Sequence, residues 1–418
     1  MESEKRTLGI GFATGRKSFR KVLKAYVYSW KQALKRNEDL RRIGLTLFVA
    51  YDLDYSHTQS TDFTNLPQDI VDVFENIVFL GTKHAQRSVL HLIDDGTITQ
   101  RDAKMLFGTG YGGKRNAILY AALENQVDYL MYLDDDEYPV AVTKSRDVCL
   151  WGGQHVLPGH LRHIEHADIT NGHHCGYISP IPQIAFNEVL TEDTFRLFIE
   201  AISNDIISWD SIRRKMKSGG VTYANTSILT SDEATDVREE NHCKFISGAN
   251  LCINLTKPER TFPFYNPPGA RGEDTFLSTL LSERTVKRIP YYTFHDGFSA
   301  YNHVLDGVLP VELAPITTAD ARTVTRFYKA CLGWVRYKPL LTYLTRRDSY
   351  ESRIERMKDA LQESIPAVCR YFGRPEFEEL LPQLERYHRN VRRHERQFTE
   401  VQMVWQKMLQ HPRYSARR

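Results

Sequence analysis

Four short apolar runs, separated by helix-like stretches, occupy the first 140 residues, and this alternation constrains the architecture more than any other feature of the sequence. Leu8-Gly-Ile-Gly-Phe-Ala13 is the first run, and a helical pattern follows from Ser18 to about Lys35. Ile43–Ala50, Asn76–Leu80 and Val127–Leu133 are the next three, the last preceded by a helix-like stretch from Lys114 to Glu124. A strand with one wet face alternates apolar and polar residues. Apolar runs without that alternation, bounded by helices, read as parallel strands buried on both faces, the signature of an α/β fold. Ligands of such sheets sit beyond the carboxyl ends of the strands, where Asp52, Asp54 and Asp134-Asp135-Asp136 fall.

Beyond Val140 the periodicity breaks down until about Asn241, with Gly, His and Pro punctuating Trp151 to Pro182 and a helical stretch from Thr191 to about Lys217. Strand character returns at Phe245–Asn254, Tyr265–Gly272 is a loop by its turn residues, and Glu273 starts a helix. From about Thr318 the text is helical and highly charged, with breaks at Pro339, Pro366, Pro375 and Pro382. A chain of 418 residues is expected to hold two or three domain-sized units. Its 41% hydrophobic, 26% charged and 11% aromatic content excludes disorder as the main state.

The net charge of +3 is unevenly placed: from Arg386 onward nine Lys/Arg stand against two Glu, which leaves the first 385 residues at about −4. That distribution argues against a nucleic-acid binder with a basic main body and leaves an interacting tail open. The apolar part of MESEKRTLGIGFATGRKS is too short for a signal peptide, and no stretch approaches the roughly 20 apolar residues of a membrane span, so a cytoplasmic location is expected. The six cysteines are dispersed without a C-x-x-C pair, which points to free thiols in a reducing compartment.

Two constellations carry chemistry. Asp134-Asp135-Asp136-Glu137 ends an apolar strand, where adjacent carboxylates repel one another. A divalent cation relieves that repulsion, and Mg²⁺ or Mn²⁺ prefers carboxylate oxygens together with substrate phosphates. The competing reading is a solvated acidic turn, which the place at a buried strand end disfavours. Gly108-Thr-Gly-Tyr-Gly-Gly-Lys-Arg-Asn116 opens the helix that feeds this strand. It matches half of a P-loop, but Arg115 stands where the magnesium-binding Ser/Thr belongs, so the P-loop is rejected. Lys114 and Arg115 at a helix start still suit a pyrophosphate.

Gly113-Lys-Arg-Asn-Ala-Ile-Leu119 followed by Asp128-Tyr-Leu-Met-Tyr-Leu-Asp-Asp-Asp136 resembles the family-2-like GT-A glycosyltransferases, in which a glycine-rich xRNxxL helix precedes a strand ending in a DxD motif. Ser247-Gly-Ala-Asn-Leu251 looks like their acceptor-side strand, Gly272-Glu-Asp-Thr-Phe-Leu277 like their ED helix start, and His295 stands where some members place a last metal ligand. The likeness spans about residues 7 to 300; the opening strand departs from the usual P-x-[YF]-N text, and the region near 150–240 is long.

The resemblance implies a GT-A, Rossmann-like mixed sheet flanked by helices over 1–310, with 150–240 an acceptor-side insert, and a helical carboxyl-terminal extension over 311–418. It implies transfer of a sugar from a UDP- or GDP-sugar to a carbohydrate or glycoconjugate hydroxyl with Mn²⁺ or Mg²⁺. Asp134, Asp136 and His295 are then the expected metal ligands. Asp52, Lys114, Arg115, Asn116, Asp134 and Asp135 hold the donor, and Asp274 is the general base of an inverting reaction. Without that context Glu273-Asp274 is simply a favourable helix start. A retaining transferase, a sugar nucleotidyltransferase and a sugar-binding protein with an inactive fold are the alternatives.

Two further features admit two readings each. His160, His163 and His166, followed by His173-His174-Cys175, invite a zinc site, but the spacing drifts around a helix. An acceptor-contacting segment with Trp151, His173, His174 and Tyr177 is the preferred reading. Phe398, Val401, Val404, Trp405 and Met408 form an apolar stripe in the basic carboxyl-terminal helix, which either packs on the protein's own core or lies peripherally on a membrane surface.

Overall fold

The computed structural model describes residues 5–81, 87–108, 110–203 and 208–411. The four apolar runs are strands β1 (Arg6–Thr14), β2 (Ile43–Tyr51), β3 (Asn76–Leu80) and β4 (Tyr129–Leu133). After β4 come β5 (Glu137–Tyr138), the hairpin β6 (Val140–Ser145) and β7 (Val148–Gly153), β8 (Ile169–Gly176), β9 (Thr235–Asp236), β10 (Leu251–Asn254) and β11 (Val286–His295). The main sheet has the order β3-β2-β1-β4-β10-β8-β11-β5, with β9 beside β11. Strands β3, β2, β1 and β4 run parallel, β10 is antiparallel to both neighbours, and β8 and β11 resume the parallel sense. The chain is therefore α/β, with a large, mostly parallel central sheet flanked by helices.

Period-two alternation divides β4 between two cores. Tyr129, Met131 and Leu133 face α1 (Phe19–Leu34), with its buried Phe19, Val22, Leu23 and Tyr26. Leu130 and Tyr132 face the other side, which holds α2 (Gln100–Leu106) and α3 (Tyr111–Glu124). Gly11 of β1 lets α3 approach closely, since a methyl group there would lie 2.6 Å from Ile118 Cγ2. Helix α4 (Val156–Ile164) follows the hairpin and packs against β8 and β11 on the α1 side, while α5 (Glu192–Ile202) and α6 (Trp209–Lys217) lie on the α3 side.

The strand β8 lies in the stretch that lacked strand periodicity, yet it sits deep in the sheet between β10 and β11. Its inward side chains are polar because they are hydrogen-bonded rather than hydrophobic. Asn171 donates to the Ala249 and Asn250 carbonyls, and Thr170 Oγ1 lies 2.7 Å from buried His160 Nδ1.

A short helix, α7 (Glu273–Ser278), precedes β11, and four longer ones close the chain: α8 (Ala321–Thr345), α9 (Tyr350–Phe372), α10 (Leu380–Arg389) and α11 (Val391–Gln410). They share one hydrophobic core with α3, Phe264 and Phe276. The α11 stripe of Phe398, Val401, Val404, Trp405 and Met408 belongs to that core and is buried, with Trp405 Nε1 donating to Thr261 Oγ1 over 3.1 Å. This corrects the membrane-surface reading of the stripe: the apolar side faces inward. Residues 412–418 of that tail lie outside the described ones. Among the described residues no helix is long and apolar enough to cross a membrane, and all six cysteines are free thiols.

Candidate active site

The carboxyl ends of β1, β2, β4 and β11 open into one cleft, and the register of the sheet explains what meets there. Thr14 ends β1 beside the β4 terminus, and its hydroxyl donates to Asp135 Oδ2 at 2.5 Å. Arg16, two residues on, reaches Asp135 Oδ1 at 2.8 Å and Asp136 Oδ2 at 2.5 Å. The expected repulsion within the triplet is thus offset partly by an arginine. Asp135 and Asp136 are buried, at 6% and 8% exposure. Burial raises the Asp135 pKa despite Arg16. For Asp136 the same burial is outweighed by His295 and Arg16, which hold the carboxyl below its ordinary range. Asp134 points elsewhere, to Arg115 Nη2 at 3.0 Å. Burial pushes it up to about 7, Arg115 pulls it back, and Glu137, Asp136 and Asp135 add repulsion.

The last strand brings His295 in. Its Nδ1 lies 2.6 Å from the Tyr177 carbonyl oxygen, so Nδ1 must carry a proton and donate it, and Nε2 faces Asp136 Oδ2 at 3.7 Å. An imidazole with its far nitrogen anchored on a carbonyl is the tautomer that ligates metals. A pair separated by 3.7 Å is slightly wider than neighbouring ligands of an octahedral cation with bonds of about 2.1 Å. Asp136 and His295 would have to draw together to share a divalent cation, and Arg16 competes for Asp136 Oδ2. Asp134 is turned from that position toward Arg115. Among the described residues no group of three His, Cys, Asp or Glu is placed to hold a metal, so ligand oxygens would have to complete the shell.

On the β2 side lies a cavity of about 320 Å³, lined by apolar Ala50, Leu80 and Phe107 and by polar Asp52, Tyr55 and Lys114. Lys114 Nζ pairs with Asp52 Oδ2 at 2.6 Å. Tyr55 connects the cavity to the triplet, with Arg16 5.8 Å from its ring. Gly110 starts α3 with φ of 104°, which a side chain would strain; the neighbouring Thr109 of this motif lies outside the described residues.

Arg115 and Asn116 do not line the cleft as the motif suggested. Arg115 is 3% exposed, donates to the Gly248 carbonyl and to Asp134, and lies against both the Tyr132 and Phe264 rings. Its Nε is 3.3 Å from Glu273 Oε1 but lacks hydrogen-bond geometry. Asn116 is 1% exposed and is fully engaged with Phe264 N and O and with Leu106 O. Both residues support the walls. Through Gly248 this scaffold joins the two distant motifs, because Asp274 Oδ2 accepts from Gly248 N at 3.1 Å while its Oδ1 accepts from Thr275 N at 2.8 Å.

The histidines are dispersed in role. His160 is buried between Thr170 and Asn250 Oδ1, and burial pushes its pKa down to about 4. His173 stacks on Tyr292 at 5.0 Å, and His174 Nδ1 lies 3.1 Å from buried Glu137. Trp151 and Tyr177 pack on Phe294 and Tyr301. Sequence reading passed over Arg16, Tyr55, Arg271 and Arg326; only Arg16 had a signal, since Thr-Gly-Arg directly follows a strand whose carboxyl end faces the cleft. In comparison with known proteins, no family model matches the chain and no curated protein is significantly similar to it.

Proposed function

We propose that this chain is a glycosyltransferase of the GT-A type that moves a sugar from a UDP- or GDP-sugar to an acceptor hydroxyl. The observation that carries the reading is that Asp136 meets His295 at the end of β4, while Asp274 is joined to Asp134 of the same strand end through Gly248 and Arg115, with a cavity of about 320 Å³ on the β2 side. In this reading Ala50, Leu80 and Phe107 take the base, and Asp52 and Lys114 take the polar edge of the nucleoside. Arg16 holds Asp135 and Asp136 in position through the ion pairs it makes. A divalent cation, Mn²⁺ or Mg²⁺, bound at Asp136 and His295 would neutralise charge on the departing nucleoside diphosphate; the imidazole ligand favours Mn²⁺.

Asp274 removes the proton of the acceptor hydroxyl as its oxygen attacks the anomeric carbon, which gives inversion. Oδ1 accepts from the Thr275 N–H and hydroxyl, whereas Oδ2 accepts one N–H, that of Gly248, and keeps a lone pair for that proton. The same bonds favour the second reading, a retaining transferase in which Asp274 only holds acceptor or sugar, and the anomeric configuration of the product separates the two. The test of the function itself is a thermal-shift screen of UDP and GDP with and without Mn²⁺, followed by release of the nucleoside diphosphate from the matching sugar donors. A rise in melting temperature that needs Mn²⁺ is expected. No shift with either nucleotide and no turnover of either donor class would remove the reading.

A further inference from the structure

The carboxyl-terminal helices take part in the cleft itself. Arg326, Gly333 and Tyr337 stand at i, i+7 and i+11 of α8 and so share one face of the helix. A methyl group at Gly297 would lie 2.7 Å from Arg326 Nη2 and 2.9 Å from His295 Cε1, so guanidinium and imidazole flank one glycine. One at Gly333 would strike the Arg271 stem at 3.2 Å, and one at Gly272 would meet the Tyr337 ring at 3.1 Å. The loop that leads from Arg271 to Asp274 is thereby pressed onto the same face of α8 that carries Arg326.

Neither Arg271 nor Arg326 has a hydrogen bond or ion pair among the described residues. Arg326 lies over the Phe298 ring at 4.8 Å, which orients its plane without neutralising it. Burial lowers its pKa; Asp136 raises it in return, and repulsion from Arg16 and Arg271 lowers it again. Arg16 already has its carboxylates, so the two remaining guanidiniums repel each other and Arg16 unless an anion joins them. Guanidinium forks match phosphate oxygens in bidentate pairs, and an arginine held over a ring has already lost much of its freedom before a ligand arrives.

We infer that Arg271 and Arg326 form a phosphate subsite on the His295 side of the cleft, with α8 as its wall. The inference rests on the nucleotide-sugar reading only for the source of the phosphate, which is either the donor's diphosphate or a phosphate-bearing acceptor. Inorganic pyrophosphate in excess EDTA tests the subsite on the full chain without metal. Calorimetry should show binding that falls about ten- to a hundredfold in Arg326→Gln and in Arg271→Gln, the usual worth of a lost charged hydrogen bond. Arg326→Lys should restore part of it, and unchanged melting temperatures should show that both glutamine variants fold. No binding to the unaltered protein, or equal affinity in both glutamine variants, overturns the subsite. Competition repeated with Mn²⁺ in place of EDTA assigns the source: UDP or GDP displaces pyrophosphate if the donor's diphosphate occupies the subsite, and binds alongside it if the acceptor does. Pyrophosphate binding with no response to either nucleotide keeps the subsite and overturns the nucleotide-sugar reading.

Discussion

On the side of the cleft built from β1, β2, β4 and α3, the cations have protein partners: Lys114 has Asp52, Arg115 has Asp134 and Glu273, and Arg16 has Asp135 and Asp136. On the side built from the Gly272–Asp274 turn, His295 and α8, Arg271 and Arg326 have none among the described residues, and Asp274 is held by the Gly248 and Thr275 N–H groups and the Thr275 hydroxyl, without a cation. The difference separates architecture from chemistry. Charges that are paired before a ligand arrives set the shape of the site. Charges left facing an opening carry a free-energy cost that a ligand offsets, which is where function concentrates.

The comparison breaks if substitutions on the two sides have the same effect. On the open side, Asp274→Asn should lower turnover by about 10²–10⁴ while leaving the melting temperature and donor affinity nearly unchanged. A fall in donor affinity instead would move Asp274 to the sugar or metal side and favour retention. On the paired side, Arg115→Met should cost about 3 kcal/mol of stability, because it leaves Glu273 and half-buried Asp134 without their cation. Urea unfolding measures this, and a stable but inactive Arg115→Met would show that the residue serves the reaction and not the scaffold.

Between the sides lies Asp136. Chelation by EDTA, or His295→Ala in the presence of Mn²⁺, should weaken nucleoside-diphosphate binding by about 10–100-fold. Calorimetry that returns equal affinities would leave Arg16 as the cation that balances Asp135 and Asp136.

The smallest effect concerns Asp134. Its folded pKa of about 7 lies above the ordinary 3.8, so the native state keeps a proton that the unfolded chain releases. That contribution is whole below about pH 4 and is lost as pH rises through about 7. Asp134→Asn stays neutral and should gain about 1 kcal/mol relative to the parent across this window; the 31% exposure of the side chain screens the rest of the shift. A difference in stability that is flat from pH 4 to pH 8 would show that Arg115 holds Asp134 ionised throughout.

What could be read in advance followed from local physics. The runs at Leu8–Ala13, Ile43–Ala50, Asn76–Leu80 and Val127–Leu133 are apolar because both faces of the sheet are covered, and all four are strands. The triplet stands at a strand end for the same reason. The strand β8 escaped because its inward positions are filled by Thr170 and Asn171, whose polarity is satisfied only by partners from α4 and the Ser247–Asn250 segment. Arg115 and Asn116 were recognised as a motif, but that both side chains are buried and engaged by the protein itself was not legible in it. A basic residue at a helix start looks the same in sequence whether it meets a phosphate or, as here, a carbonyl and two carboxylates.

By itself the sequence determined the strand and helix periods, the place of the Asp134–Asp136 cluster at a carboxyl end and the amphipathic stripe of α11, since each depends on spacing within one element. Only the tertiary structure decided which charges are already paired. Arg16 closes on the triplet because β1 and β4 lie in register, and Asp274 meets Gly248 because Arg115 joins α3 to both segments. Arg326 and His295 come to flank Gly297 because α8 folds back across residues 269–298. Coulomb energies fall with distance in space and not along the chain, so no local pattern could have revealed them.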